Sequence, residues 1–475
     1  MGSDMNAFAK APVSAKKLLK PISACIVAAF GLAAPAAFAA VTHTVTSCAD
    51  AGPGTLRDII NDTIGTVSGD TVDFSGLDTT LCSVISLTTG EILVTQEDLI
   101  IKGTPDIPII GKYNNGRLFR HINSGDLQFS YVAMGIAKTE NASGNAAGGC
   151  ILSYGSVGLS HSVVLGCYAN ATGASHKAYG GAIAALGTVG LKYSQVSTSA
   201  ATSELAASRG GGVIALNGVI AKYSSVFGNS ANGSSGAGGG LYVQGPLTIE
   251  NSTISGNSAD FVAGGVWKSG TGEVLMTSST ISGNDAPNGF MGGMFITGSP
   301  SVTVTNSTIA FNTAKEYNFG GQFYASGLVI SAGSVDVTAK IQGTIISDNS
   351  HGNYDFDFSQ HPGTKTITFD AASAKNLFRV PNVGSIPEDT IVFECPYLGT
   401  LRDNGGLTQT HSLHSHSIAI DASDAAGFTY TSDQRADAVL YPRVSNLFAD
   451  IGAYEVNQND IVFTSQFEGC RPLIF

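Results

Sequence analysis

Three seven-residue blocks decide the fold: Asn251-Ser-Thr-Ile-Ser-Gly-Asn257, Ser278-Ser-Thr-Ile-Ser-Gly-Asn284 and Asn306-Ser-Thr-Ile-Ala-Phe-Asn312. Aligning the neighbouring segments on them produces columns. One holds Ser162, Ser194, Ser224, Ser252, Ser279, Ser307 and Thr344, and a second holds Val164, Val196, Val226, Ile254, Ile281, Ile309 and Ile346. A third runs Cys167, Ser199, Asn229, Asn257, Asn284, Asn312 and Asn349. A Gly-Gly pair also recurs, at Gly148-Gly149, Gly180-Gly181, Gly211-Gly212, Gly239-Gly240, Gly264-Gly265, Gly292-Gly293 and Gly320-Gly321, in steps of 32, 31, 28, 25, 28 and 28 residues. Two strand-like residues follow each pair, from Cys150-Ile151 to Gln322-Phe323.

Each column has a physical reason. Stacked parallel strands lie about 4.8 Å apart, so equivalent side chains of successive coils touch. β-branched aliphatics suit such an interior because their rotamers are few and their strand preference strong. Asn at a bend tolerates left-handed backbone and can hydrogen-bond above and below itself. A β-sandwich with coincidental Gly turns would not hold Gly, Ile and Asn in one register through successive units. The fold expected is all-β, a right-handed parallel β-helix, with repeats over 126–350.

A solenoid must cover its apolar ends. Thr55-Leu-Arg-Asp58 fits a helix-capping box, and Leu56, Ile59 and Ile60 give one apolar face. This predicts a short N-terminal capping helix inside a cap with irregular first coils over 40–125. After Asn349 the repeat is lost, so 351–455 should form final coils and an irregular C-terminal cap, and 456–475 a tail. Ahead of all this, Lys16, Lys17 and Lys20 precede an apolar stretch from Ile22 to Phe38, and Ala37-Phe38-Ala39 is a small-x-small cleavage pattern. Residues 1–39 therefore read as a signal peptide cleaved after Ala39, giving a secreted or cell-surface protein with no transmembrane helix in the mature chain.

Cys25 would leave with that segment. The remaining six cysteines suit disulfides in an oxidising compartment, and proximity pairs Cys48 with Cys82, Cys150 with Cys167 and Cys395 with Cys470. The formal charge of the full chain is −12, and loss of residues 1–39 removes four Lys and one Asp, leaving the rest more acidic still. That balance, with no basic cluster, argues against nucleic acid as a partner.

Three blocks carry a resemblance. Cys48-Ala-Asp-Ala-Gly-Pro-Gly-Thr-Leu-Arg-Asp58 resembles the N-terminal block of bacterial proteins with a CSLREA-type domain. The Gly-Gly and Ile-Ser-Gly-Asn units resemble polymorphic outer-membrane and pectin-lyase-like repeats. Leu398-Gly-Thr-Leu-Arg-Asp-Asn-Gly-Gly-Leu-Thr-Gln-Thr-His-Ser-Leu413, with Ile418-Ala-Ile-Asp421, Asp433-Gln-Arg435 and Asp450-Ile-Gly-Ala-Tyr-Glu455, is similar to the choice-of-anchor Q domain. The resemblance implies a secreted or surface-attached β-helix and no single reaction. It gives Asp421, Asp424, Asp433, Arg435 and Asp450 a structural role in turns and ion pairs, with a bound Ca²⁺ as one form that role could take.

The residues that could carry chemistry are few. Glycoside hydrolysis needs two carboxylates about 5–9.5 Å apart across one groove. Glu204, Glu250, Asp260, Glu273, Asp285, Glu316, Asp336 and Asp348 instead occupy unrelated repeat positions. Lys192-Tyr193 and Lys222-Tyr223 fall in the same columns on adjacent coils, where Tyr could stack on a sugar and Lys could bind a carboxylate. Asp355 and Asp357, beside His351, could chelate Ca²⁺, although the loop shows too few oxygen ligands for a full site. His411, His414 and His416 cluster in one segment, with His414 and His416 able to share a strand face. The reading that results is an exported, non-enzymatic scaffold, an adhesin or glycan-binding protein, whose partner is a polysaccharide or surface glycan. It requires no cofactor, Ca²⁺ being the one the Asp pattern would admit. The alternative is a pectin-lyase-like polysaccharide lyase or hydrolase.

Overall fold

The computed structural model describes residues 40–475 other than 62–64, 105, 112–115, 316–323, 351–353, 360–364, 424–430, 437–439, 446–447, 458–459, 461–469 and 471–475. The expected signal peptide with Cys25, the Gly320-Gly321 unit with Gln322-Phe323, and Glu316, His351 and Asp424 lie outside the described residues.

The chain winds as a parallel β-helix whose coils contribute strands to three long sheets. Among the described residues, sheet one runs through 12 strands from Thr42–Thr44 to Ile367–Phe369, and sheet two through 11 from Ile92–Val94 to Pro381–Asn382. Sheet three carries the aligned blocks. Its register is Val164↔Val196↔Val226↔Ile254↔Ile281↔Ile309↔Ile346, the expected column without a slip. Sheet two turns Ile151, Ile183, Val213, Leu241, Val266, Met294 and Leu328 into the same interior, all fully buried.

Left-handed residues make the corners. Between sheets one and three sit Tyr131, His161, Tyr193, Tyr223, Asn251, Ser278 and Asn306, all with φ between 43° and 56°. From His161 on, the next residue is the serine column. Each serine there accepts a hydrogen bond from the preceding coil's backbone, as Ser194 N–H gives to Ser224 Oγ at 3.1 Å. Each also donates to the carbonyl two residues back, as Ser224 Oγ does to Lys222 at 2.8 Å.

The asparagine column is a continuous ladder. Asn229 gives both its backbone N–H and its side-chain amide to Asn257 Oδ1, Asn257 does the same to Asn284, Asn284 to Asn312 and Asn312 to Asn349. The second amide hydrogen goes to a strand carbonyl such as Val226 or Ile254. The expectation that these asparagines themselves take the left-handed bend is corrected. That conformation belongs to the residue before each, from Gly228, Gly256 and Gly283 to Phe311 and Asp348.

The glycine units also need correction. Register aligns Gly149 and Gly181 with Gly211 and Gly239, so the first two pairs sit one position earlier than the later ones. Gly212, Gly240, Gly265 and Gly293 lie flat against the ladder, where a Cβ would come within about 3 Å of an Asn amide carbon or nitrogen. In the next coil that place belongs to Gly327, which meets the amide of Asn349. Gly320-Gly321 precedes it by seven or six residues, so the glycine count misplaced that unit.

The three disulfides join Cys48 to Cys82, Cys150 to Cys167 and Cys395 to Cys470. The helix Leu56–Asn61 buries Leu56 and Ile60 in the first coils. Thr55 Oγ1 accepts from Asp58 N–H, while Asp58 answers to Gly54 N–H rather than to Thr55. Arg57 pairs with Asp50 at 2.7 Å and donates to the Gly90 and Glu91 carbonyls, clamping the helix to the next turn. Among the described residues no helix is long and apolar enough to cross a membrane.

The final coils end at Ile391–Val392. Beyond Cys395 the chain is irregular, and it covers a flank of the solenoid as well as following its end. Gln434 inserts its amide between the outer faces of two sheet-three strands, donating to Thr253 and accepting from Thr280. Thr253 donates to the Gln409 carbonyl, Asn251 to the Asp433 carbonyl, and Thr308 accepts from Ala453 N–H.

Candidate functional site

On sheet one, alternate residues point out of the solenoid. The outward positions at its middle are Gln128, Gly158, Gly190 and Ile220 on four successive coils. Two lack side chains, so the sheet is dented. The dent is a shallow groove of about 400 Å³ lined by Asp126, Ser156, Thr188, Lys192, Ile220 and Lys222 among others. Gln128 covers Gly158, since a Cβ there would fall on its amide. Over Gly190 nothing lies within 4 Å, and that is the open floor.

Lys192 and Lys222 pair in register at one edge, as expected from their columns. Lys222 is ion-paired to Glu250 at 2.6 Å, and the Lys192 ammonium lies 5.5 Å from the Tyr193 ring centre. The tyrosines belong to a longer row. Tyr131, His161, Tyr193 and Tyr223 stack with ring centres 4.7, 4.7 and 4.9 Å apart and planes 12°, 29° and 10° from parallel. This revises the part given to Tyr193: His161 and Tyr223 cover its two faces, so it offers no stacking surface. The row was legible in principle from His161 on, because His161, Tyr193 and Tyr223 each directly precede the serine column.

The Asp355 and Asp357 pair does not form a common oxygen cage. Asp355 is buried and accepts from the backbone N–H and amide of Asn349, taking the next rung of the ladder. Asp357 accepts from Asn382. Burial pushes both carboxyls up to about 7. The three histidines separate as well. Both ring nitrogens of buried His411 are engaged, by Ser282 at 2.7 Å and the Gly399 carbonyl at 2.6 Å, and burial lowers it to about 4. His414 and His416 sit at a turn with rings 5.0 Å apart. Among the described residues no group of three or more His, Cys, Asp or Glu is arranged to hold a metal.

The charged residues of the C-terminal block form a buried network. Arg435 pairs with Asp433 at 2.7 Å and lies between the rings of Tyr441 and Tyr454, 3.9 and 4.0 Å from their centres. Asp450 accepts from the backbone of Asp421 and Val456, and Glu455 from Ser445 and Asp450. A further buried charge was not foreseen: Lys268 stands in an interior column between Val243 and Ile296 and donates to the carbonyls of Gly270 and Gly272. Its amphipathic stem fits the core while its head closes a turn. An isolated Lys in an aliphatic column was the available signal.

Residues 183–361 match a family described as right handed beta helix region. No curated protein and no solved structure matches the chain at a significant level.

Proposed function

We propose that this protein is an exported, extracellular β-helix scaffold that binds a polysaccharide or surface glycan along the groove of sheet one, without catalysis and without need of a cofactor. The observation that carries the reading is the dent over Gly190, bounded by an ammonium, an aliphatic wall and hydroxyls. Such a mixture suits a sugar, which offers both C–H surface and hydroxyls. The lining supplies one carboxylate, Asp126, where hydrolysis uses two. Three disulfides accord with an oxidising, extracellular location.

The test is a panel of neutral and acidic polysaccharides, read both for binding and for release of reducing or unsaturated ends. Binding without release is expected. Gly190→Leu should abolish it, because a side chain there meets no neighbour and simply fills the floor. Product release by the wild type that Gly190→Leu also abolishes would make the groove an active site and overturn the scaffold reading.

A further inference from the structure

The walls of the sheet-one groove carry charge unevenly. Ser156 and Ser160 flank Gly158 on one coil, and Thr188 and Lys192 flank Gly190 on the next. Alternate residues share a face, so each coil sets two polar side chains astride a bare floor. In the row of Lys192, Lys102 is ion-paired to Asp73 and Lys222 to Glu250. Lys192 stands between those pairs, exposed, and meets no carboxylate among the described residues. On the opposite wall Asp126 continues from Ser156 one coil away, also exposed and without a cation among the described residues. It lies about 10 Å from Lys192 along the axis and about 13 Å along the strands, too far for either charge to neutralise the other. We infer that the groove takes a linear glycan with a carboxylate on every second ring: a hexuronate over Gly190, held at Lys192, joined to an uncharged ring over Gly158.

Coils repeat about every 4.8 Å, close to the length of one pyranose in an extended chain, so consecutive rings fall on consecutive coils. A second carboxylate over Gly158 would find only the hydroxyls of Ser156 and Ser160 and, one coil away, the like charge of Asp126. A hydroxyl or acetamido N–H in that place donates to Asp126 instead. Gln128 lies across Gly158 and makes no hydrogen bond among the described residues. It therefore swings aside without breaking one and presents its amide to the arriving ring. Beyond Gly190 the floor ends at Ile220, 44% exposed on the next coil. The inference rests on the glycan-binding reading of this groove and names the kind of glycan it takes.

Calorimetric titration of the full chain with three hexasaccharides tests it, at physiological ionic strength so that long-range repulsion from a chain of net charge −12 is screened. One is a hyaluronan fragment, in which glucuronate alternates with N-acetylglucosamine. The others are hexagalacturonate, with a carboxylate on every ring, and cellohexaose, with none. The hyaluronan fragment should bind about three- to fivefold more tightly than either, the scale of one exposed ion pair. Lys192→Gln should bring it down to the level of cellohexaose, and Asp126→Asn should tighten hexagalacturonate while leaving cellohexaose unchanged. Both side chains are exposed, so the variants should fold. Preference for hexagalacturonate or cellohexaose, binding of none of the three, or no effect of Lys192→Gln would overturn the inference. The groove reading would survive any of these as long as Gly190→Leu still abolishes binding of polysaccharide. Equal binding of the hyaluronan fragment by Gly190→Leu and wild type would sink the groove reading and the inference together.

Discussion

Asp355 Oδ1 accepts two hydrogen bonds from Asn349, one from its backbone N–H at 2.6 Å and one from its side-chain amide at 3.1 Å. It is the rung that an asparagine fills in every coil from Asn229 to Asn349, occupied here by a carboxyl that burial pushes up to about 7. An unfolded Asp ionises near 3.9. Between about pH 4 and pH 7 the native state therefore holds a proton that the unfolded state has lost, and stability falls as pH rises through that window. Asp355→Asn keeps the acceptor and removes the ionisation. It should match the wild type below pH 4 and exceed it by about 2–4 kcal/mol at pH 7.5. Denaturant titrations of both proteins across this range check it, and a pH-independent difference would sink the idea.

Ile136 adopts φ 53° and is 48% exposed, at a corner where the five following coils carry Gly166, Thr198, Gly228, Gly256 and Gly283. A left-handed conformation costs an L-residue about 1–2 kcal/mol, and a β-branched one is the worst placed. Ile136→Gly loses some of this back through unfolded-chain entropy. A net gain of about 0.5–1 kcal/mol is expected, with Ile136→Val giving none. A loss of stability in the glycine variant would mean that the exposed isoleucine makes a contact worth more than the strain.

Gln434 joins the C-terminal block to the solenoid. Its amide donates to Thr253 and Thr408 at 2.8 and 2.9 Å and accepts from Thr280 at 2.6 Å, all in buried surroundings. Gln434→Ala takes the acceptor from the Thr280 hydroxyl, while Thr253 and Thr408 keep their bonds to the Gln409 and Asn251 carbonyls, at a cost of about 1–3 kcal/mol for a buried group. Local opening is expected before global unfolding. Hydrogen exchange should quicken in the described amides of 396–456 while the strands Thr253–Ser255 and Thr280–Ser282 stay protected against the coils on either side. Equal loss of protection in both would show that block and solenoid open as one unit.

What the sequence could and could not reveal follows from how each contact is encoded. The aliphatic column from Val164 to Ile346 was legible because neighbours in space repeat the same residue type at the same place in each block. Glycine was less informative. The coils differ in length and glycines occupy two adjacent corner positions, so Gly148-Gly149 slipped by one and Gly320-Gly321 stood in for Gly327. The groove needed two coils read together, since Gly158 and Gly190 mean nothing singly. The flank contact between Gln434 and Thr253 spans 181 residues and obeys no period. The place of Asp355 was equally hidden, because it depends on lying one rung beyond Asn349, which only the coil geometry fixes.

Cys150 and Cys167 fill a corner whose content changes coil by coil. The same two positions hold Leu118 and Ala137 one coil earlier, Ala182 and Ser199 one coil later, and then Gly212 and Asn229. The disulfide therefore stands where the polar ladder gives way to an apolar corner, and Cys167 N–H still donates to Ser199 Oγ at 3.2 Å. Cys150→Ala with Cys167→Ser copies the pair that the next coil already folds around. Packing should survive, and only the cross-link is lost, at about 3 kcal/mol for a loop of this size. Unfolding followed by the fluorescence of Trp267, the single tryptophan, would read that loss as a lower midpoint. A loss beyond about 5 kcal/mol would mean that the sulfurs pack this corner in a way Ala182 and Ser199 do not reproduce.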